Sequence, residues 1–176
     1  SARGSSANVS ITFAGVASNV SEFELPKNTS FTTSINNRTF TFVTPESNIV
    51  RNVGGAFTKA ITITEGTPVT HEFTVSTATP VKYIIPNENV DTRSIKVTVK
   101  ESSTSSVTTI YTRATNIREV NNQSTVYYLQ ETHDKQYEIL FGTGSLGKPV
   151  EDGNIVQVEY RAVSYTHLTL PTTVRV

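Results

Sequence analysis

The chain contains no cysteine, no methionine and no tryptophan among its 176 residues. Without cysteine there can be no disulfide framework, no thiolate metal site and no cysteine nucleophile. Neither sign of charge is in excess, because 15 Lys and Arg balance 15 Asp and Glu. A neutral chain with no basic stripe lacks the electrostatic footprint of a nucleic-acid or anionic-membrane binder. No apolar run is long enough to span a bilayer, and no signal-peptide pattern is present. Methionine is missing even at position 1, where Ser1 stands, which suggests a fragment whose start lies upstream. Long runs of helix-forming residues are also missing. Ser, Thr, Val and Asn are plentiful instead, and that bias favours β structure joined by polar turns.

Apolar and polar residues alternate in NVSITFAGV (8–16), RTFTFV (38–43), AITITEG (60–66) and SIKVTVK (94–100). Period-two alternation is the signature of a half-buried strand. It places Phe40 and Phe42 on one face, and Ile95, Val97 and Val99 on another. Asn36-Asn37 suits a hairpin turn, and residues 44–56 read as irregular. VTHEFTVS (69–76) is expected to be the hairpin partner of AITITEG, and STVYYLQE (124–131) to pair with QYEILF (136–141). Residues 107–120 read as a strand followed by a short helix or a second strand. The expectation is an all-β, mainly antiparallel fold of about nine strands with little helix, in two small packed lobes. Residues 1–7 are a linker or the end of a preceding element, 8–79 the first lobe and 80–162 the second.

The segment VSYTHLTLPT (163–172) matches the translation of a transposase sequencing adaptor, and the adaptor frame closes at Val176. Residues 163–176, with His167 and Pro171, are therefore expected to be adaptor read-through and not native.

Gly142, Gly144 and Gly147 form a G-x-G-x-x-G run directly after the strand-like YEILF. In a dinucleotide-binding fold such a run opens a helix whose N-terminal amides hold pyrophosphate. Here Lys148-Pro149 follows at once, then the turn signal Glu151-Asp152-Gly153, then the strand-like NIVQVEY. The expected structure is a long glycine-rich connection between two antiparallel strands, with no cofactor. Other candidates for chemistry are sparse. His71 sits in a strand, and His133-Asp134 lies in a turn. Neither has metal-ligand spacing. The carboxylate pairs Glu22/Glu24 and Glu151/Asp152 read as solvated surface, and N-x-[ST] at Asn8, Asn19, Asn28, Asn37 and Asn122 arises easily in this composition. No catalytic or metal-binding residue is assigned, and an enzyme is not expected.

YYLQETHDKQYEILFGTGSLGKPVEDGNIVQVEY (127–160) resembles the baseplate wedge subunit of contractile-tailed bacteriophages, within the J-like baseplate family. Tyr128, Leu129, Glu131, Tyr137, Glu138, Ile139, Phe141, Gly142, Gly144, Gly147, Gly153, Asn154, Val156, Val158 and Tyr160 carry the match. ELPKNTSFTTSINNRTFTFVTPE (24–46) and IIPNENVDTRSIKVTV (84–99) are similar to two further segments of that family. Thr143 replaces a common Asp and Asn28 a common Gly. Asn tolerates the left-handed conformation, whereas β-branched Thr resists it. The resemblance implies a structural part of the virion tail baseplate, assembled in the host cytoplasm. Its implied partners are other wedge subunits, with homo-oligomerisation left open, and it implies no nucleic acid and no membrane. Phe141, Gly142, Gly144, Gly147 and Gly153 would be a structural signature turn, shaping a hairpin at or near a subunit contact. The alternative is a glycan-binding β domain of an adhesin, which would expose Tyr111, Tyr127 or Tyr128 in a concave site.

Overall fold

The computed structural model describes residues 3–163. Of the expected adaptor segment only Val163 lies within them, buried at 4% exposure. The remainder of that segment lies outside the described residues.

The alternating sequence gives an all-β fold. Among the described residues thirteen strands form: β1 (Ser6–Phe13), β2 (Glu22–Leu25), β3 (Ser30–Ile35), β4 (Arg38–Val43), β5 (Asn48–Val53), β6 (Ala56–Glu65), β7 (Thr67–Thr74), β8 (Tyr83–Ile85), β9 (Lys96–Lys100), β10 (Thr108–Arg113), β11 (Val126–Glu131), β12 (Tyr137–Phe141) and β13 (Ile155–Ala162). One short 3-10 turn, Ile117–Glu119, is capped by the Asn116 side chain. The ambiguous stretch 107–120 is thus a strand and then a single helical turn. Two compact units result, one from Ser1–Pro68 with Arg161–Val176, the other from Val69–Tyr160.

In the first unit the sheet runs β2-β5-β6-β4-β3, with β1 also on β6. The β1–β6 ladder is antiparallel from Ser6↔Thr64 to Phe13↔Phe57. One face buries Val9, Phe57 and Ile61 with Leu25 and Val50. Phe23 packs edge-on to Phe13 at 5.1 Å and tilted against Phe57 at 5.6 Å. The opposite face carries paired polar groups, such as Thr12 Oγ1 to Thr58 Oγ1 at 3.0 Å and Thr62 Oγ1 to Asn8 Oδ1 at 2.8 Å. Phe40 and Phe42 are buried together, as the alternation requires. Asn36 and Asn37 both take positive φ, 51° and 61°, which suits a two-residue hairpin between right-twisted strands. Residues 44–56 are not irregular as expected. Gly54 and Gly55 make the same kind of turn, with φ of 61° and 87°, and fold β5 back on β6.

In the second unit the order is β7-β13-β9-β10-β11-β12-β8. The centre is aliphatic: Ile85, Val97, Ile139, Val156 and Val158 are fully buried. Each such side chain contributes about 1.5–3 kcal/mol by leaving water. A run of rings continues this core from His71 to Phe73, Tyr83, Phe141 and Tyr111, with centroid separations of 4.6–5.6 Å and steep interplanar angles. β11 and β12 form the expected hairpin. One pairing differs from expectation, and one is not antiparallel. β7 neighbours β13 and not β6, and the β10–β11 pair is parallel.

Candidate functional site

The signature segment from Phe141 to Gly153 does not close a hairpin. β12 has β11 and β8 as neighbours, whereas β13 has β9 and β7. The connection therefore carries the chain past β11, β10 and β9 before it re-enters the sheet.

Two anchors hold this crossover. The first is the glycine turn. A Cβ on Gly142 would lie 2.4 Å from the carbonyl oxygens of both Leu146 and Gly147, so the two arms of the turn touch backbone to backbone. Gly144 N–H donates to Gly147 O at 3.2 Å and closes the loop. Gly144 and Gly147 adopt φ of 99° and 110°, which L side chains rarely take. Lys148 N–H then donates to Ser124 O at 2.8 Å, and Tyr128 Oη to Leu146 O at 3.2 Å, fastening the turn to the start of β11. Thr143 stays out of the positive-φ region, so its β-branch is not strained there.

The second anchor is the Glu151–Asn154 turn. Gly153 N–H donates to Val75 O at 2.9 Å and Val75 N–H to Asn154 O at 2.8 Å. Asp152 Oδ1 accepts from Thr77 N–H at 2.7 Å and from Thr77 Oγ1 at 3.1 Å. Asn154 Nδ2 donates to Glu101 O at 3.1 Å, while its Oδ1 accepts from Glu151 N–H at 2.9 Å. Between the anchors and the core, the Phe141 ring stands T-shaped to Tyr83 at 5.4 Å and to Tyr111 at 5.3 Å.

The other two signature segments are clips of the same kind. In IIPNENVDTRS the Asp91 carboxylate is wholly buried and accepts from Arg93 N–H at 3.1 Å and Arg93 Nε at 3.3 Å. Asp91 O accepts from Ser94 N–H at 2.9 Å and Ser94 Oγ at 2.6 Å. In PKNT…TPE the buried Thr44 hydroxyl donates to Pro26 O at 2.7 Å and accepts from Thr29 N–H at 3.0 Å. Asn28, at φ 65°, occupies the left-handed position expected of it. Sequence reasoning did not single out the roles of Asp91, Thr44 and Asn154. Only Asp91 carried a local signal, Asx-type spacing with its oxygen two residues before the Arg93 amide it binds, whereas Thr44 binds the distant Thr29 amide and Asn154 reaches back to Glu151 and across to Glu101.

The candidates for chemistry are not brought together. His71 lies edge-on to Phe73, whereas His133 and Asp134 are exposed on the β11–β12 turn. Glu22 pairs with Arg51 at 3.1 Å on the surface. Among the described residues no group of three or more His, Asp and Glu could hold a metal ion, and no helix is long and apolar enough to cross a membrane. Residues 142–154 contain no helix, so the amide cradle required by the dinucleotide fingerprint is not built.

Nothing favours a glycan-binding face either. Tyr111 and Tyr127 are 4% and 3% exposed, and Tyr128 is occupied with Leu146. Burial raises the Tyr83, Tyr111, Tyr127 and Tyr160 hydroxyls above the usual tyrosine value, with Glu151 adding to the rise at Tyr111. The sign follows directly. A phenol whose folded pKa exceeds its unfolded one stabilises the fold below the unfolded value, about 10, and that contribution is lost as pH rises through the folded value. Stability should therefore hold to about pH 10 and fall above it. Spectroscopic titration should show these four phenols ionising after free tyrosine, together with unfolding. Early, reversible ionisation of these four phenols would contradict the burial.

The marked residues of this β-rich chain thus hold its own backbone, a structural arrangement. Residues 69–162, just over half of the chain, match the family model for the bacteriophage baseplate wedge protein gp6, third domain, and the chain belongs to that family. The matched range begins where the second compact unit begins, at Val69. No curated protein matches the chain. The protein is a structural component of the phage tail baseplate, and as such it assembles with other baseplate proteins in the virion.

Proposed function

We propose that this chain works without catalysing a reaction, as a wedge subunit that joins other wedge subunits, with itself among the candidate partners, in the host cytoplasm. The turn from Phe141 to Gly153 serves this role by fixing the sheet that the partners meet. The carrying observation is that the glycines and polar groups of the three signature segments hold backbone turns, at Gly142/Gly147, Asp91 and Thr44. A site built for chemistry leaves polar groups converging on a substrate. Here they converge on amides and carbonyls of the same chain.

Co-expression with the tail proteins encoded beside it, followed by native mass spectrometry, tests the reading. A defined soluble complex with at least one of them is the expected result. A chain that stays alone in the presence of all of them would overturn it.

A further inference from the structure

Strand β1 has an open edge. It pairs with β6 along its whole length, and among the described residues no other strand lies beside it. An open edge presents a row of amides and carbonyls to any extended chain, and native proteins block such edges with charge, proline or short length. The other terminal strands are blocked in this way. β2 carries Glu22 and Glu24, β7 carries Pro68 and Glu72, and β8 is three residues long and followed by Pro86. β3 is uncharged, but Thr33 interrupts the apolar row of Phe31 and Ile35. β1 has no such device, since no charged residue and no proline lies between Arg3 and Glu22.

The core of the first unit is open along the same edge. Ala7, Val9, Ile11 and Phe13 point inward, yet only Val9 is buried, and the other three pack on the core half-buried. A strand added beside β1 would cover them with an apolar row and meet Ser6, Asn8, Ser10 and Thr12 with a polar one. β1 itself has that pattern. When two β1 strands run antiparallel, their faces match only if the two-fold axis passes through a residue, because a slip of one residue exchanges the faces. About Ser10, Ala7 lies opposite Phe13, Val9 opposite Ile11 and Asn8 opposite Thr12. Small meets large, polar meets polar, and no charge is set against its own kind.

We infer that two copies of this chain pair antiparallel through β1, about a two-fold axis at Ser10, and join their first-unit sheets into one; this deepens the assembly reading above and rests on it. An isologous contact of this kind closes at two. A ladder this short buries less than the roughly 1,200 Å² of a stable complex, so the dimer is weak in solution, with a Kd between about 10 μM and 1 mM. Assembly around the tail raises the local concentration and strengthens it.

Sedimentation velocity of the full chain, up to about 1 mM, should show a reversible monomer–dimer equilibrium and nothing larger. The double variant Asn8→Lys/Thr12→Lys sets ammonium against ammonium twice across the axis and should weaken dimerisation by about tenfold or more. Mixed with Asn8→Glu/Thr12→Glu, it should form a mixed dimer tighter than either variant forms alone. Because the chain has no cysteine, Ser10→Cys reports the register. Oxidation should link two copies at position 10, whereas Thr58→Cys, exposed on β6, should stay unlinked. All these positions are exposed, so circular dichroism and melting should stay close to the parent. A parent that is monomeric at about 1 mM, an open series of larger oligomers, a double-lysine variant that dimerises as the parent does, or Ser10→Cys linking no more readily than Thr58→Cys would each overturn the inference. The two levels separate in the co-expression experiment. A parent that is monomeric alone yet joins the neighbouring tail proteins sinks the pairing and leaves the baseplate reading. A parent that dimerises but joins none of them sinks the baseplate reading and leaves the pairing.

Discussion

Gly142→Ala should cost about 3 kcal/mol or more, more than alanine at any other glycine of the crossover. The reason is steric and not conformational. Gly142 does not sit at positive φ, but a Cβ there would meet two carbonyl oxygens at 2.4 Å, and both belong to backbone. A flexible side chain could swing away from such a contact, whereas the Leu146–Gly147 peptide is held by Gly144 N–H and by Tyr128 Oη. Gly147→Ala should be intermediate, about 2 kcal/mol, because it combines φ 110° with a 2.9 Å approach to the movable Val126 Cγ2. Gly144→Ala and Gly153→Ala face open space and suffer only their positive φ, about 1 kcal/mol each. Denaturant midpoints at constant slope measure the series, and the Gly142 variant should melt roughly 6–12 °C lower. If Gly144→Ala proves as harmful as Gly142→Ala, the backbone-to-backbone contact is not what holds the turn.

The strands were largely legible in the sequence and their neighbours were not. Alternation reports which side chains share a face, and so Phe40 with Phe42, and Ile95 with Val97 and Val99, lay where the pattern put them. It carries no information on which strand lies alongside. VTHEFTVS followed AITITEG too closely to look like anything but its hairpin partner, yet the chain passes Gly66 at φ 127° and β7 joins β13 in the other sheet. Gly66 is packed against Arg161 Cβ and Ala162 O, a close approach made by residues almost a hundred positions away. Nothing local encodes that. The same limit hid the crossover. The glycine turn was visible as a turn, but the two strands it joins are separated by three others. β5 was missed because its outward residues, Ile49 and Val53, are apolar and exposed, which blurs the alternation. The clips were half visible. Family likeness marked NVDTRS and PKNT, but only the structure shows that Asp91 and Thr44 are buried and spend their oxygens on nearby amides, carbonyls and a guanidinium.

Arg93→Ala should destabilise the protein more than Asp91→Ala, although Asp91 is the buried partner. Removing a buried carboxylate leaves Arg93 behind, and a guanidinium already 56% exposed can be taken up by water. The loss is then the hydrogen bonds that the carboxylate accepts from the Arg93 amide and guanidinium and a small volume, about 2 kcal/mol. Removing Arg93 instead leaves a carboxylate with 1% side-chain exposure and without its cation. Stranding one member of a buried ion pair typically costs 3–5 kcal/mol, because desolvation is no longer offset, and about 3 kcal/mol is expected here since Arg93 N–H still donates to Oδ1. The double variant should therefore lie close to Asp91→Ala alone, giving a coupling energy of about 3 kcal/mol in a double-mutant cycle. Asp91→Asn separates the two functions of the side chain. It keeps the oxygen that accepts from Arg93 N–H and loses the charge, so it should fall between the parent and Asp91→Ala. Additive losses in the cycle would mean that the Arg93 guanidinium contributes nothing to holding the carboxylate. NVDTRS would then be a turn held by Asp91 through the Arg93 amide and Ser94 alone, with no part for charge in fixing the approach to β9.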